Sequence, residues 1–520
     1  MAESASPPSS SSILIDLTRD EKEIFDLLLK VVKHFNLDTH LRVAGGWVRD
    51  KLLGLQSNDI DIAIDNMTGQ QFCEKVEQYK KKNEELCYDP NKVTVIKSKP
   101  DQSKHLETTK MRMHLKSGRY VLIDFVNLRS EDYSNNNSRI PTRLQQLGTA
   151  LEDAYRRDLT INSLFYNIQT NSIEDFTKRG LEDLKSKRIV TPLNPKQTFM
   201  DDPLRVLRAI HFGARFGFML DEELKKAAKD KDVRTALVDK ISRERVGHEI
   251  DLMISGKQAK NPIQAMTSIA DLKLFWNVFS VPCDAKPSNS EGFVRQCVAY
   301  LHSALRLLDL IGSSSFSNDQ KILCLYAALF LPLRVRIYIY KEKNNKAKER
   351  EIPVVNHIVR DSLKLKASDA QTIISLHNAA NRFVTFIPSL EVVEVGLLLR
   401  EIKEFWRVAL LLSMLLMHSV ENIDKRSGLF KTVEDAIITT LGLEKVWEVK
   451  PLVDGKEIME VLKIKSGGSV VKEWQQCLLV WQLEHHPSGT AKECLKWMKQ
   501  KLGENEEQPS SFSLAREGQV

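Results

Sequence analysis

Three features that would define the class of protein at once are missing from this sequence of 520 residues. Its seven cysteines form no Cys-x-x-Cys pair, which argues against a disulfide framework and against a zinc site. Its longest apolar runs, near 323–333 and 408–417, fall well short of the ~20 residues that a membrane-spanning helix needs. The N-terminal segment is rich in Ser, Pro and Ala and has no arginine before Arg19, so it predicts neither a secretory signal nor a transit peptide.

The composition indicates a large globular protein. Hydrophobic residues make up 42% and charged residues 28% of the chain, both close to the average for globular domains, and the length predicts several domains. The net charge of +7 permits an acidic partner without requiring one. We expect a reducing compartment and a cytoplasmic location, with nuclear entry left open, whereas an organellar form would need a different N-terminus. Neither a membrane nor an obligate protein partner is indicated.

The most informative stretch begins at a pair of glycines inside an apolar run. Gly45 and Gly46 allow a tight turn whose backbone N–H groups approach a phosphate, and Arg49 adds a fixed positive charge. Acidic and aliphatic residues alternate shortly afterwards, which in a strand places Asp59 and Asp61 on one face. Paired carboxylates repel each other unless a cation lies between them, and Mg²⁺ held against substrate phosphates is the usual arrangement. A solvated strand face is the plainer interpretation.

A third carboxylate, Asp124, lies in a strand predicted from residue 120 to 126. Its neighbours suit a strand that is buried on both faces, where a lone carboxylate is costly unless something pairs with it. A metal shared with the first two carboxylates would supply that pairing, and capping of a neighbouring turn is the alternative. The polar segment 131–150 that follows predicts a mobile loop beside the site.

Arginines next to acids mark two later segments. Arg157 and Asp158 precede an apolar run that contains Asn162, and arginine forks suit phosphates and ribose edges, although such clusters are often plain surface ion pairs. Asp202 and the following proline predict the start of a helix with Asp202 as its N-cap. On that helix Arg205 continues a spacing of three, so the two side chains share a stripe.

The same stripe continues to Arg208, and a cap with ordinary surface arginines is the alternative to a binding site. The charged segment 241–249 predicts a further helix with a scaffolding role. After residue 201 the alternating strand pattern gives way to helical periods over 301–311, 323–333, 397–417 and 471–483. A basic segment at 341–350 is predicted to be a polar connector.

The order of these motifs resembles that of the eukaryotic class II CCA-adding enzymes, the tRNA nucleotidyltransferases of the polymerase-beta superfamily. The resemblance covers residues 41–254 motif by motif and, more weakly, 452–497. It implies an α+β fold in which a small polymerase-beta-like head with a mixed sheet precedes an all-helical neck, body and tail. The implied boundaries are a disordered segment 1–16, a catalytic head 17–180, a neck with a base-recognition helix 181–258, a body 259–450, a tRNA-binding tail 451–503 and a disordered segment 504–520.

The resemblance also implies roles for the candidate residues. The implied catalytic residues, which hold two Mg²⁺ ions, are Asp59, Asp61 and Asp124. The implied nucleotide-binding residues are Gly45, Gly46, Arg49, Arg157, Asp158, Asn162, Asp202, Arg205 and Arg208. Of these, Asp202 and Arg205 are implied to read the edge of the base. Where bacterial relatives continue the arginine series, this chain has His211.

The implied reaction adds C, C and A to the 3′ end of tRNA from CTP and ATP, without a nucleic-acid template and with release of diphosphate. One Mg²⁺ would activate the 3′-hydroxyl of the tRNA, and the second would stabilise the leaving diphosphate. Two alternatives stay open. One is a poly(A) polymerase that shares this catalytic core, and the other is a non-catalytic RNA-binding protein on the same fold, although all three carboxylates are present.

Overall fold

A computed structural model describes residues 15–83, 93–96, 108–128, 148–256, 259–282, 285–341, 349–417 and 422–506. The backbone divides into two compact units, Met1–Ser280 and Val281–Val520. The segments predicted to be disordered, 1–16 and 504–520, lie almost wholly outside the described residues, as does most of the loop predicted at 131–150. Within the described ranges, no helix combines the length and the apolar character needed to cross a membrane.

A seven-stranded mixed sheet forms the centre of the first unit. In chain order its strands are β1 (Leu41–Ala44), β2 (Ile60–Ile64), β3 (Val93–Ile96), β4 (Thr108–His114), β5 (Tyr120–Asn127), β6 (Phe165–Asn167) and β7 (Ser172–Glu174). Across the sheet the order is β3-β4-β5-β2-β1-β6-β7, with β2 and β5 parallel and the other neighbours antiparallel. This register sets Asp61 beside Asp124, and Asp124 beside Lys110.

Among the described residues, five α-helices accompany the sheet, namely α1 (Arg19–His34), α2 (Gly46–Leu52), α3 (Gly69–Asn83), α4 (Ala150–Tyr155) and α5 (Gly180–Lys185). A capping box begins α1, because Thr18 and Glu21 each accept a hydrogen bond from the backbone of the other. Glu21 also accepts a hydrogen bond from the indole of Trp47 at 2.9 Å and pairs with Lys51 at 2.7 Å. One buried carboxylate therefore joins the start of α1 to α2.

Helix α3 covers one face of β4 and β5. The ring of Phe72 packs 5.5 Å from the ring of Phe125, and a Cβ added to Gly69 would lie 2.9 Å from the Phe125 Cβ. Residues on the opposite face of β5, including Leu122 and Asp124, are partly or well exposed. The prediction that this strand is buried on both faces is therefore wrong, because the segment alternates between a covered and an open face.

The rest of the first unit is helical apart from one short strand pair. Its elements are β8 (Arg188–Ile189), α6 (Pro195–Asp201), α7 (Leu204–Phe216), β9 (Met219–Leu220), α8 (Glu222–Lys229), α9 (Lys231–Lys240), α10 (Arg243–Ile254), α11 (Pro262–Asp271) and α12 (Phe275–Val278). The parallel pair β8–β9 interrupts the neck that was predicted to be all-helical. The start of α7 also differs from the prediction. Asp202 terminates α6 and Pro203 is the N-cap of α7, although Asp202 Oδ1 still accepts a hydrogen bond from Leu204 N at 3.2 Å.

The second unit is also mainly helical. Its elements are α13 (Ser290–Ile311), α14 (Asn318–Phe330), β10 (Ile337–Lys341), β11 (Glu349–Pro353), α15 (Val354–His357), α16 (Ala367–Phe386), α17 (Val392–Ile402), α18 (Trp406–Leu416), α19 (Ile423–Asp435), α20 (Gly455–Leu462), α21 (Ser469–Glu484) and α22 (Ala491–Glu506). The hairpin β10–β11 interrupts the predicted all-helical body and includes both ends of the predicted polar connector. The helix predicted over 397–417 is two helices, separated at Lys403 by a left-handed residue.

The fold class predicted from the sequence is confirmed in outline, since a mixed-sheet head precedes a chain that is mainly helical. The last three helices share a buried apolar cluster that includes Ile458, Trp474 and Met498. Asp454 and Glu457 form the capping box of α20. Residues 454–457, Asp-Gly-Lys-Glu, lie in the predicted tail and have a structural explanation, because they begin a helix.

Candidate active site

A cavity of about 1350 Å³ lies in the first unit, lined by the sheet face that carries Asp61 and Asp124 and by helices α7 and α10. Of the twelve residues predicted from the sequence, all but Gly45 line it. Its volume exceeds the roughly 300–1,000 Å³ that is typical of pockets for one drug-sized ligand. The cavity is therefore large enough for two reactants.

Gly45 is required by backbone geometry at the rim of this cavity. Its φ is +68°, in the left-handed region, and a Cβ there would lie 2.6 Å from Arg157 Nη1 and 3.1 Å from the carbonyl oxygen of Asn162. Its N–H donates to Leu164 O at 2.9 Å, which fixes the turn from β1 into α2. The predicted tight turn is therefore present. Binding of a phosphate by Gly45 and Gly46 stays a prediction.

The three predicted catalytic carboxylates lie at the end of the cavity formed by the sheet. Asp61 and Asp124 are lateral neighbours on β2 and β5, and Asp59 is exposed just before β2. Burial, followed by the charges of Asp59 and Asp124, raises the pKa of Asp61 to about 6. The carboxylates are therefore close enough to repel one another, as the alternating sequence predicts.

Lys110 compensates part of this negative charge. Its Nζ lies 2.9 Å and 2.6 Å from the two oxygens of Asp124, across the β4–β5 ladder. Among the described residues, no group of three or more Asp, Glu, His or Cys side chains is arranged to hold a metal ion. Lys110 was not predicted from the sequence. Its pairing with Asp124 depends on strand register, which is a tertiary property without a local pattern.

Arg49 is buried and joins α2 to α7. Its guanidinium contacts Asp50 Oδ1 at 2.7 and 2.8 Å, donates to Asn162 Oδ1, and lies 4.8 Å from the ring centroids of both Phe212 and Phe216. Burial lowers the pKa of Arg49, and the adjacent Asp50 opposes that effect. In this structure Arg49 is thus held by protein groups, and its predicted contact with a triphosphate stays a prediction.

A buried ion pair joins Asp158 to α7. Asp158 Oδ2 accepts a hydrogen bond from Arg208 Nε at 2.8 Å, while Oδ1 accepts from Asn162 Nδ2 at 3.1 Å and from Leu159 N at 2.9 Å. Burial acts to raise the pKa of Asp158, but the charge of Arg208 and the hydrogen bonds from Asn162 and Arg208 outweigh it and hold that pKa below its ordinary value. Asp158 is therefore a charged anchor for the predicted base-recognition helix.

Arg157 is held by the preceding helix. Its Nε and Nη2 lie 3.0 and 2.8 Å from Asp153 Oδ2, and its Nη1 donates to the carbonyl oxygen of Asn162 at 3.1 Å. Asp153 is buried and also pairs with Arg156. Arg157 thus lines the cavity next to the carboxylates with its guanidinium already oriented.

Asp202 and Arg205 lie next to each other at the start of α7, but each is held by a different partner. Asp202 Oδ2 pairs with Arg245 Nη2 at 3.0 Å, and Arg205 Nη2 donates to the carbonyl oxygen of Arg156 at 2.7 Å. Both side chains line the cavity. The carboxylate and the guanidinium therefore present separate hydrogen-bonding groups.

Helix α10 contributes site residues that the sequence analysis missed, namely Arg245, His248 and Glu249. Glu249 is buried and lies 3.5 Å from Arg208 Nη1 and 3.1 Å from Nδ1 of His211. The prediction that this segment is scaffolding is therefore incomplete. The available signal was the spacing of Arg245 and Glu249, which puts an arginine and an acid on one helical face. His211 is buried against Glu249, where it supports α7.

Known proteins are similar to this chain over the head alone or over nearly its whole length. A family model described as the Poly A polymerase head domain matches residues 41–190. The chain is 34% identical over 502 residues to the tRNA nucleotidyltransferase cca2 of Schizosaccharomyces pombe, covering 92% of this chain and 97% of the relative. It is 33% identical to the mitochondrial CCA tRNA nucleotidyltransferase of Saccharomyces cerevisiae, covering 93% of each. The solved structure of the Thermotoga maritima CCA-adding enzyme complexed with tRNA has a similar fold, with a TM-score of 0.60, 19% identity and coverage of 94% of this chain and 96% of that one.

Proposed function

The chain belongs to the family of CCA tRNA nucleotidyltransferases, and we propose that the cavity of its first unit is where the CCA sequence is added to tRNA. The substrates are CTP, ATP and tRNA, the product is tRNA ending in CCA, and diphosphate is released. The observation that carries the proposal is the pair Asp61–Asp124, which lies in one cavity with Asp202 and Arg205. The first pair suits nucleotidyl transfer, and the second suits selection of a base.

Asp61 and Asp124 offer neighbouring carboxylate oxygens, the ligand type that a divalent cation prefers, although no three described side chains are already arranged around one ion. Burial, and after it the charges of Asp59 and Asp124, raises the pKa of Asp61, and Lys110 already lies against Asp124 as a cation would. We propose that these three aspartates hold Mg²⁺, as two ions. When bound, Mg²⁺ would lower the pKa of the 3′-hydroxyl of the tRNA and neutralise charge on the diphosphate.

The protein's own groups supply binding and orientation. Arg157 is fixed by Asp153 beside the carboxylates, so its charge is available for the triphosphate of the incoming nucleotide. Asp158 holds Arg208, and through it α7, against the head. This arrangement fixes the helix that carries Asp202 and Arg205 with respect to the carboxylates, as in-line transfer requires.

Selection of the base follows from hydrogen-bond polarity. Cytosine and adenine both present an amino donor beside a ring-nitrogen acceptor, whereas uracil and guanine present N–H at the ring position. Asp202 accepts and Arg205 donates, so the pair complements the first two bases. Arg245 fixes one Asp202 oxygen. Each mismatched contact in a desolvated site costs on the order of 1–3 kcal/mol.

The corresponding test is a competition among four nucleotides on one tRNA. Asp202→Ala and Arg205→Ala should incorporate UTP and GTP at the expense of CTP and ATP, because the acceptor or the donor is lost. Arg245→Gln should show a smaller change in the same direction. Slower incorporation with an unchanged preference would mean that Asp202 and Arg205 only support the start of α7.

A poly(A) polymerase is the second candidate, because the family model that matches the head carries that description. Labelled CTP and a tRNA that lacks its CCA end distinguish the two reactions. We expect three additions that read CCA on sequencing, whereas a run of A would favour the second candidate. Asp61→Asn is the control for adventitious activity. The cytoplasmic location, the tRNA-binding role of the tail and the domain boundaries inside each unit remain predictions.

A further inference from the structure

The open face of β4 and β5 extends away from the carboxylates. Its cross-strand pairs are Lys110 with Asp124, Arg112 with Leu122, and His114 with Tyr120. We call these six residues the β4–β5 face. Strands rise about 3.4 Å per residue, so Leu122 lies about 7 Å and Tyr120 about 14 Å along the strand from Asp124. The face is therefore a continuation of the proposed active site and not a separate surface.

The β4–β5 face exposes large side chains that a sheet would normally cover. Tyr120 is 56% and Leu122 49% exposed, while the other face of the same strands is buried under α3. The guanidinium of Arg112 lies 4.4 Å from the centroid of the Tyr120 ring. Arg112 Nε and His114 Nε2 are buried and, within the part of the chain that the structure describes, have no hydrogen-bond partner. The face thus combines an exposed aromatic ring with a partly exposed arginine.

We propose that the β4–β5 face binds the single-stranded 3′ end of the tRNA, with Tyr120 stacked on a base and Arg112 beside the phosphate backbone. The inference rests on the proposed function. Nucleotidyl transfer brings the 3′-hydroxyl of the tRNA to the carboxylates, so the preceding nucleotides must leave the cavity along an adjoining surface. The β4–β5 face adjoins Asp124 directly, and Leu122 lines both the face and the cavity.

The chemistry of the face suits this occupant. Basic side chains complement phosphates whatever the sequence, and an aromatic ring stacks on any base because every base has a π-face. Such tolerance is needed here, because different tRNAs end in different nucleotides and the end changes after each addition. Arg112 covers one side of the Tyr120 ring, so the exposed part of the ring is the surface left for a base.

The test uses the full chain, CTP and two forms of one tRNA that ends in the first C of CCA. One form is unmodified, and the other lacks the base of its penultimate nucleotide, because Tyr120 lies about 14 Å along the strand from Asp124, beyond the reach of the last base. For the wild type, we expect removal of the base to raise the KM for the tRNA about tenfold, the size expected for one stacked base. Tyr120→Ala should raise that KM about tenfold with the unmodified tRNA and show no further rise with the abasic one. The KM for CTP should stay within about twofold in every case.

Matched variants separate stacking from general effects. Tyr120→Phe keeps the ring and should restore the KM for tRNA, and Arg112→Gln should raise that KM and flatten its salt dependence. Lys82→Gln removes an exposed charge from α3, the helix on the opposite face, and should change neither value. If Tyr120→Ala does not fold, Tyr120→Thr replaces it, because threonine suits a strand.

Three outcomes would overturn the inference. The first is a Tyr120→Ala protein whose KM for tRNA matches that of an active wild type. The second is additive losses from Tyr120→Ala and the abasic nucleotide, since independent effects mean that the ring does not meet that base. These first two outcomes would refute the role of Tyr120 but not the proposed CCA addition. The third is a wild type that adds no nucleotide to either tRNA, which would refute the proposed function as well.

Discussion

Replacing Asp61 with asparagine should stabilise the metal-free protein at the pH where the enzyme works. Burial and the charges of Asp59 and Asp124 move the pKa of Asp61 from 3.8 to about 6. The unfolded chain therefore loses this proton near pH 4 and the folded chain near pH 6. Between these values the folded state binds more protons, so its free energy of unfolding falls as the pH rises through this window.

The shift sets the size of the effect. About two pKa units at ~1.36 kcal/mol each give a cost of up to about 3 kcal/mol for keeping Asp61 charged above pH 7. Asparagine keeps the shape and removes the charge, but it also loses the attraction of Arg157 and Lys110, so we expect a gain of about 1–2 kcal/mol. For a domain of this size each kcal/mol changes Tm by about 2–4 °C.

The assay is thermal unfolding in a chelator at pH 4 and pH 8, followed by addition of Mg²⁺. At pH 8 without metal, Asp61→Asn should melt a few degrees above the wild type, and the difference should vanish near pH 4. Mg²⁺ should raise the Tm of the wild type more than that of the variant, since it binds the intact site more tightly. Asp26→Asn, an exposed carboxylate on α1, is the matched control. Equal melting of Asp61→Asn and wild type at pH 8 in chelator would refute this account of the site.

Four other predictions follow from separate parts of the chain. Asp158→Asn removes the nearer of two buried counter-charges of Arg208 and leaves Glu249 at 3.5 Å, so it should cost about 1.5–3 kcal/mol of stability, measured by urea unfolding. Gly45→Ala should lower both activity and Tm, because it forces a side chain into left-handed backbone near Asn162 O. Deletion of residues 452–520 should weaken tRNA binding in a filter assay more than it weakens CTP binding. Burial lowers the pKa of His377 to about 4, so the second unit should lose stability relative to His377→Gln as the pH falls from about 6.5 to 4, because the unfolded chain takes up the proton first.

The parts of the site that could be predicted are those with a local signature. The glycine turn, the alternating acids and the strand around Asp124 each follow from backbone sterics or side-chain alternation over a few residues. The sheet-containing head could be distinguished from the helical remainder because alternation of side chains gives way to helical periodicity after residue 201. The motif order that resembles the CCA-adding enzymes then grouped these segments, and the structure lines one cavity with nearly all of them.

The parts that were missed depend on contacts between distant segments. Lys110 reaches Asp124 through the β4–β5 register, and Arg245 reaches Asp202 through the packing of α10 on α7. Neither partner is visible in its own stretch of sequence. The start of α7 was misplaced by one residue because Asp202 accepts a hydrogen bond as a cap would while its backbone still closes α6. The hairpin β10–β11 was missed because its charged residues read as a polar connector.

The carboxylate of Glu21 serves two helices at once, and this has a consequence for local opening of the head. Its oxygens close the first turn of α1 and also hold Trp47 and Lys51 on α2, the helix that carries Arg49. Loss of the α1 cap therefore removes two anchors of α2 in the same event. Amide protons of the two helices should accordingly exchange with solvent as one cooperative unit, although the helices are separated in sequence by β1. Opening at the start of α1 should therefore also loosen α2 and the glycine turn that precedes it.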